Sequence, residues 1–243
     1  MSRLFLIRHA QASFGSAEYD QLSPLGEEQA RRLGAHWAGQ GMMFDQVFVG
    51  PKRRHQHTAE LVGEAVTQGG LPWPKPVALP EFDEYAGLEV FRTALPQLAK
   101  GAHGSSPLRR SGGFDPATLS SAVKFPAELL KIFQDSVARW VRGELSVPGV
   151  ETWQEFRIRA QRGLEKVIEG SARGRRIAVF TSTGPVAAAL DRAFGLSDER
   201  MIEASWQLRN TSVSEFLFST PRFSLSMFNA VPHLNGADLI THI

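Results

Sequence analysis

The 243-residue chain contains no cysteine, which excludes a disulfide framework, thiol catalysis and thiolate metal sites. It has no large excess of either charge, the formal net charge being +2. The basic groups Lys52-Arg53-Arg54, Arg109-Arg110 and the arginines from 173 to 176 are too short to mark a nucleic-acid surface. No run approaches the ~20 apolar residues needed to cross a bilayer, so no membrane partner is expected. An apolar stretch opening within the first few residues leaves no length for a leader peptide, and a cytoplasmic location follows as the expectation. No internal repeat is visible. What the chain does have is core-forming material: 42% hydrophobic residues, with five Trp and sixteen Phe, enough to exclude a disordered chain.

Short apolar runs alternate with helical patterns. Leu4-Phe5-Leu6-Ile7 is continuous, as in a strand buried on both faces of a parallel sheet. Ser23 with Pro24 opens a helix carrying Glu27 and Glu28 in its first turn and Ala30, Leu33, Gly34 and Trp37 on one face. Further strands are expected at Gln46–Val49, Val77–Leu79 and Ile177–Phe180, and helices over 55–66, 152–169 and 186–194. Two apolar runs, Val213–Phe218 and Phe223–Phe228, are split by Thr220-Pro221 and predict an antiparallel hairpin at a sheet edge, which is also the expected face for a homodimer. The expected fold is a single α/β domain over 1–243. It is a three-layer sandwich, a mostly parallel central sheet with helices on both faces. Residues 89–146 form a helical and loop insertion over the active site, with helical segments near 90–98 and 127–142. Its Gly/Ser-rich tip at 101–113 is an exposed loop that could act as a lid, with Phe82, Tyr85 and Arg109-Arg110 as candidate lining.

Three strand ends carry groups suited to an anion. Arg8-His9 follows the first strand, Gly50-Pro51-Lys52-Arg53-Arg54 follows Val49, and Thr181-Ser182-Thr183-Gly184 follows Phe180 at a helix N-terminus. Ligands of open α/β sheets bind outside the carboxyl ends of strands, and unpaired N–H groups at a helix N-terminus favour negative charge. Each group alone also reads as a basic strand end, a basic loop or a helix cap. Together they suggest a phosphate pocket containing a histidine.

Leu6-Ile7-Arg8-His9-Ala10-Gln11 resembles the RHG signature of the histidine phosphatase superfamily, which includes phosphoglycerate mutases and many small phosphatases. Leu22-Ser23-Pro24-Leu25-Gly26 with Gln29-Ala30 and Leu33-Gly34 is similar to the family's LTxxGxxQAxxLG helix. Pro51 to Ala59 resembles its SPLxRAxQTA segment, Leu79-Pro80-Glu81 its LxE, and Gly149-Val150-Glu151-Thr152 with Arg159 its GES…R helix. The resemblance implies that His9 attacks phosphorus, Arg8 and Arg54 clamp the non-bridging oxygens, and Gln11 lines the phosphate pocket. Glu81 would be the acid that protonates the leaving oxygen, with Glu84 the alternative if the loop carries one extra residue. It implies no metal and no cofactor, and a small phosphorylated molecule as substrate.

The family carries a second histidine in VSHGG, and Thr183 stands at that position. Losing one such contact to a transferring phosphoryl group costs on the order of 2–4 kcal/mol of transition-state stabilisation. His233, in Asn229-x-x-x-His233-Leu234, is a candidate to compensate at the phosphate, while His57 reads as a solvent-facing helix residue. Ala10 stands for the usual Gly and Gly50 for the usual Ser. The expected activity is a metal-independent phosphatase working through phosphohistidine. Alternatives are an impaired family member that binds a phosphorylated ligand or partner, and a mutase.

Overall fold

The computed structural model describes residues 1–13, 20–101, 127–169, 173–219 and 221–242. A six-stranded sheet has the order β3-β2-β4-β1-β5-β6, with β1 Ser2–Arg8, β2 Gln46–Val49, β3 Val77–Ala78, β4 Arg176–Thr181, β5 Val213–Ser219 and β6 Arg222–Ala230. β3, β2, β4 and β1 are mutually parallel, whereas β5 and β6 add an antiparallel hairpin at the edge, as the split apolar runs predict. The helices are α1 Pro24–Gly39, α2 Arg53–Gln68, α3 Gly87–Gly101, α4 Ala127–Val141, α5 Trp153–Glu169, α6 Thr183–Phe194 and α7 Asp198–Trp206.

Alternation along the central strands builds two cores. Phe5 and Ile7 of β1, with Ala178 and Phe180 of β4, pack against Leu33 and Trp37 of α1 and Val62 and Val66 of α2. Leu4, Leu6, Ile177 and Val179 face the other way, onto Leu164 and Val167 of α5 and Val186 and Leu190 of α6. A strand whose every side chain is buried must therefore be apolar throughout, which is why β1 and β4 read as continuous runs. The sandwich is the α/β arrangement expected from the sequence.

The chain divides into two compact units. The first gathers Met1–Ser13, Asp20–Glu84 and Arg157–Ile243, and holds the whole sheet; the second includes Tyr85–Phe156. Within the second, Tyr85, Trp140, Trp153 and Phe156 form an aromatic cluster, with Trp153 and Phe156 5.2 Å apart between ring centroids. Most of the Gly/Ser-rich tip at 101–113, Arg109-Arg110 included, lies outside the described residues.

Three local departures from the sequence pattern have identifiable causes. α6 opens at Thr183, ahead of the apolar pattern at Val186, because the Glu84 carboxylate takes its first N–H groups; Ser182, the N-cap residue, supplies no side-chain bond. α2 opens at Arg53, ahead of its apolar face, because a carboxylate from elsewhere caps it (below). α7 is a helix that no apolar period announces; its signal is the Ser197 cap, which accepts from the Arg200 N–H, followed by Asp198 and Glu199 in the first turn.

Gly26 is where α1 meets the loop after β1. A Cβ there would stand 2.0 Å from the Gln11 backbone oxygen. Gly26→Ala is therefore expected to cost roughly 1–3 kcal/mol or more through forced backbone displacement, read as a lower urea midpoint at unchanged slope.

Candidate active site

The ends of β2, β4 and β1 are neighbours in the sheet, so the three polar strand ends converge. His9 leaves β1 with its N–H donated to the Thr181 oxygen at 2.8 Å, and its own carbonyl accepts from Asn210 Nδ2 at 3.1 Å and from the Thr211 N–H at 3.3 Å. The next residue is also fixed, since the Ala10 N–H donates to Thr58 Oγ1 of α2 at 3.1 Å. The histidine thus stands on a backbone held from a strand, the turn before β5 and a helix.

The partners of its ring define its chemistry. Nδ1 lies 2.7 Å from the Ala10 carbonyl, and Arg54 Nε points at Nε2 from 3.2 Å. A carbonyl can only accept and a guanidinium can only donate. The proton is therefore on Nδ1, and Nε2 presents a lone pair. Burial holds the imidazole well below its ordinary pKa, and the cations Arg54 and Arg8 push it the same way. A neutral ring of defined tautomer, with its unprotonated Nε2 facing a cation, is the form a nucleophilic histidine requires.

Arg54 is itself placed by Asp20, whose Oδ1 accepts from Arg54 Nη1 at 2.8 Å. The same carboxylate takes the Arg53 N–H at 2.7 Å and so caps α2, where Lys52 supplies no side-chain cap. Arg8 Nη1 donates to the carbonyls of Leu208 and His242, the latter at 2.6 Å, which orients its guanidinium beside His9. Gln11 Oε1 accepts from Ser23 Oγ at 2.7 Å, and the same Ser23 oxygen caps α1 at Gly26. Gln11 thereby joins the site loop to the helix that follows it.

The helix N-terminus at Thr183 is already matched by an anion. Glu84 Oε2 accepts from the Thr183 N–H at 3.0 Å and from its hydroxyl at 2.9 Å, and Oε1 accepts from the Gly184 N–H at 2.8 Å. Arg159 fixes the loop that carries Glu84, donating from Nη1 to the Glu81 and Asp83 carbonyls at 3.0 Å each. Glu81 is directed elsewhere, to an ion pair with Lys166 of α5. That partner holds its carboxyl below the usual range.

Of the histidines considered from sequence, His233 bonds Thr211. The single Thr211 hydroxyl proton goes to the Asn210 carbonyl at 2.7 Å, so His233 Nε2 donates to Thr211 Oγ1 at 2.9 Å. Thr211 is a β-branched residue at φ 54°, a costly conformation, and its N–H meets the His9 carbonyl. His233 thus supports the backbone behind His9. His57 is half-buried on α2, turned about 200° around the helix from His55. The histidine brought against His9 is His55, with ring centroids 5.6 Å apart. Sequence reasoning passed over His55 and Asp20. The polar His55 at an inward-facing position of α2 was a visible signal; Asp20, reaching 33 residues along the chain to cap α2, left none. Among the described residues no group of three His, Cys, Asp or Glu is arranged to hold a metal ion.

Buried neutral histidines make stability pH-dependent. Burial lowers His9 and His55 well below 6.5, and lowers His233 to about 3. The unfolded chain binds protons on these rings below pH 6.5 that the folded chain refuses, so their contribution is complete above 6.5 and falls as pH drops, for His233 down to about 3. Each refused proton removes about 1.4 kcal/mol per pH unit. Urea unfolding between about pH 7.5 and about pH 5 is expected to show this loss, with a shallower slope in His233→Gln.

A sequence model described as histidine phosphatase superfamily (branch 1) matches residues 4–112 and 123–231. A 2,3-bisphosphoglycerate-dependent phosphoglycerate mutase of Methylorubrum extorquens is 37% identical over 86 residues, which are 33% of this chain and 41% of that protein. A broad-specificity phosphatase of Saccharomyces cerevisiae is 30% identical over 117 residues, 45% of this chain and 50% of its own. The matches to these relatives thus span half of their length or less. The fold is shared more widely. A phosphoglycerate mutase structure from Bacillus anthracis superposes with a TM-score of 0.62 at 16% identity, covering 96% of this chain and 94% of its own. An alpha-ribazole phosphatase from Shigella flexneri superposes at 0.61 and 19% identity, covering 94% and 96%. The family match runs through both halves of the sheet and through every strand end that frames His9, and the chain belongs to the histidine phosphatase superfamily.

Proposed function

We propose that the protein is a phosphatase that hydrolyses a phosphomonoester of a small molecule through a phosphohistidine on His9. The observation that carries this reading is the His9 ring, neutral, protonated on Nδ1 and presenting Nε2 to the Arg54 guanidinium. In the first step the Nε2 lone pair forms a bond to phosphorus as the bond to the leaving oxygen breaks in line. Arg54 and Arg8 neutralise the charge on the non-bridging oxygens, and the Ala10 carbonyl, still accepting from Nδ1–H, stabilises the positive ring. In the second step water attacks phosphorus, the P–N bond breaks and the electron pair returns to Nε2.

The proton for the leaving oxygen comes from Glu84 in this reading. Its carboxyl lies on the turn that ends β4, beside Ser182, whereas Glu81 is committed to Lys166. In this reading the phosphomonoester binds as its monoanion and its proton passes to Glu84, which gives it to the leaving oxygen. The resulting carboxylate then takes the proton of the attacking water. Similarity to both phosphatases and mutases supports the phosphoryl-transfer class. Hydrolysis is preferred because the 89–146 segment does not resemble the mutase pattern.

A second reading has one observation in its favour. The Glu84 carboxylate occupies the helix terminus that a phosphate would use, and Thr183 brings no charge there. On that reading the pocket binds a phosphorylated ligand without turning it over. A phosphomonoester panel separates the two. The enzyme reading expects hydrolysis that falls roughly 10³-fold or more in His9→Ala. It also expects Glu84→Gln to lose about 10²-fold or more on alkyl phosphates. The loss should be much smaller on p-nitrophenyl phosphate, whose leaving group needs no proton. Wild type and His9→Ala equally inactive, with phosphate still bound, would establish the binder.

A further inference from the structure

His55 sits at the alanine of the family's SPLxRAxQTA pattern, Gly50 at its serine, and Thr183 at the second histidine of VSHGG. The first two meet in the structure, and the third follows Ser182, the partner of His55. His55 is wholly buried on the inner face of α2, one residue beyond Arg54, with its ring tilted 38° to that of His9. Its Nε2 lies 2.6 Å from Ser182 Oγ, and Ser182 is wholly buried too. Gly50 makes the space. A Cβ at that position would stand 2.3 Å from His55 Nδ1, well inside van der Waals contact, so the imidazole fits because residue 50 has no side chain.

The contact with Ser182 is also built at the expense of another. Ser182 is the N-cap of α6 in extended conformation, the position from which a serine hydroxyl usually accepts an N–H of its own helix. Here the hydroxyl makes no such bond. The first N–H groups of α6 are satisfied by Glu84 instead, which leaves Ser182 to His55. Space filling accounts for the missing side chain at 50, where a Cβ would also stand 2.5 Å from the Phe82 carbonyl oxygen, but it does not account for the diverted cap at 182.

We propose that His55 is a positioning residue for His9: tied to Ser182 at the end of β4, its ring braces the nucleophile's ring from the α2 side. The second imidazole of the site thus comes from α2 rather than from the turn after β4. Being wholly buried, it acts behind His9 and does not touch phosphate. The brace matters because attack needs the Nε2 lone pair aligned with phosphorus, and small misplacement of a reacting group costs rate rather than binding. Its effect on turnover rests on the phosphatase reading above; its effect on the His9 ring does not.

Two variants of similar size separate positioning through Ser182 from space filling. The amide of His55→Gln reaches the place of Nε2, and that of His55→Asn reaches only the place of Nδ1. His55→Asn is expected to lower kcat about tenfold or more with KM within about twofold; His55→Gln is expected to restore most of kcat. In nitrogen-detected NMR, the His9 ring nitrogens should keep their wild-type shifts in His55→Gln and move or broaden in His55→Asn. Gln and Asn variants that match each other in both kcat and the His9 spectrum would overturn the proposal. If wild type hydrolyses no phosphomonoester, the phosphatase reading fails, and the spectra alone decide the brace: distinct spectra uphold it and identical ones overturn it.

Discussion

The site depends on one hydrogen bond, from Arg54 Nε to the Nε2 of His9 at 3.2 Å. It fixes which nitrogen carries the lone pair, and it places a permanent cation where a phosphate would arrive. Much of the surrounding structure serves it. Asp20 caps α2 and holds the Arg54 guanidinium with the same carboxylate, so the start of the helix and the direction of its arginine are set together. Thr58, one turn on, donates to the Arg54 carbonyl at 2.6 Å and accepts from the Ala10 N–H, tying helix and nucleophile loop to each other. Loss of any one of these groups would act on His9 without touching it.

The start of α6 is organised around a negative charge. The Glu84 carboxylate accepts three hydrogen bonds at the start of α6, and Arg159 staples the loop beneath it. Helix termini favour anions, and a carboxylate supplied by the chain satisfies this one when no phosphate is present. The change from histidine to Thr183 suits such an arrangement, because a threonine hydroxyl donates to the carboxylate. In the proposed reaction the same carboxylate is the proton carrier, so the group that fills the terminus at rest takes part when substrate arrives.

The sheet was legible because its central strands are buried on both faces and carry no polar interruption; β1 and β4 fall where their apolar runs predict. The antiparallel edge was legible from Thr220-Pro221 between two apolar runs. Helix starts were not, wherever the cap comes from afar. Asp20 caps α2 across 33 residues of chain, and no local pattern records that. At the site, Arg8, His9 and Arg54 stood out because basic residues at strand ends need a reason. His233 drew attention for its type, yet its role is to support Thr211 at positive φ, which only the backbone reveals. His55 was overlooked because its meaning depends on the absent side chain at Gly50, a relation between an atom present and an atom missing.

The central claim is that His9 Nε2 is the atom that takes the phosphoryl group. Rapid quenching of the wild-type protein with a phosphomonoester, followed by peptide mapping and phosphorus NMR, tests it most directly. The account predicts an acid-labile, alkali-stable phosphate on the peptide containing His9, attached through Nε2. A label on another residue, or substrate consumed with no covalent phosphate at any time after mixing, would contradict it.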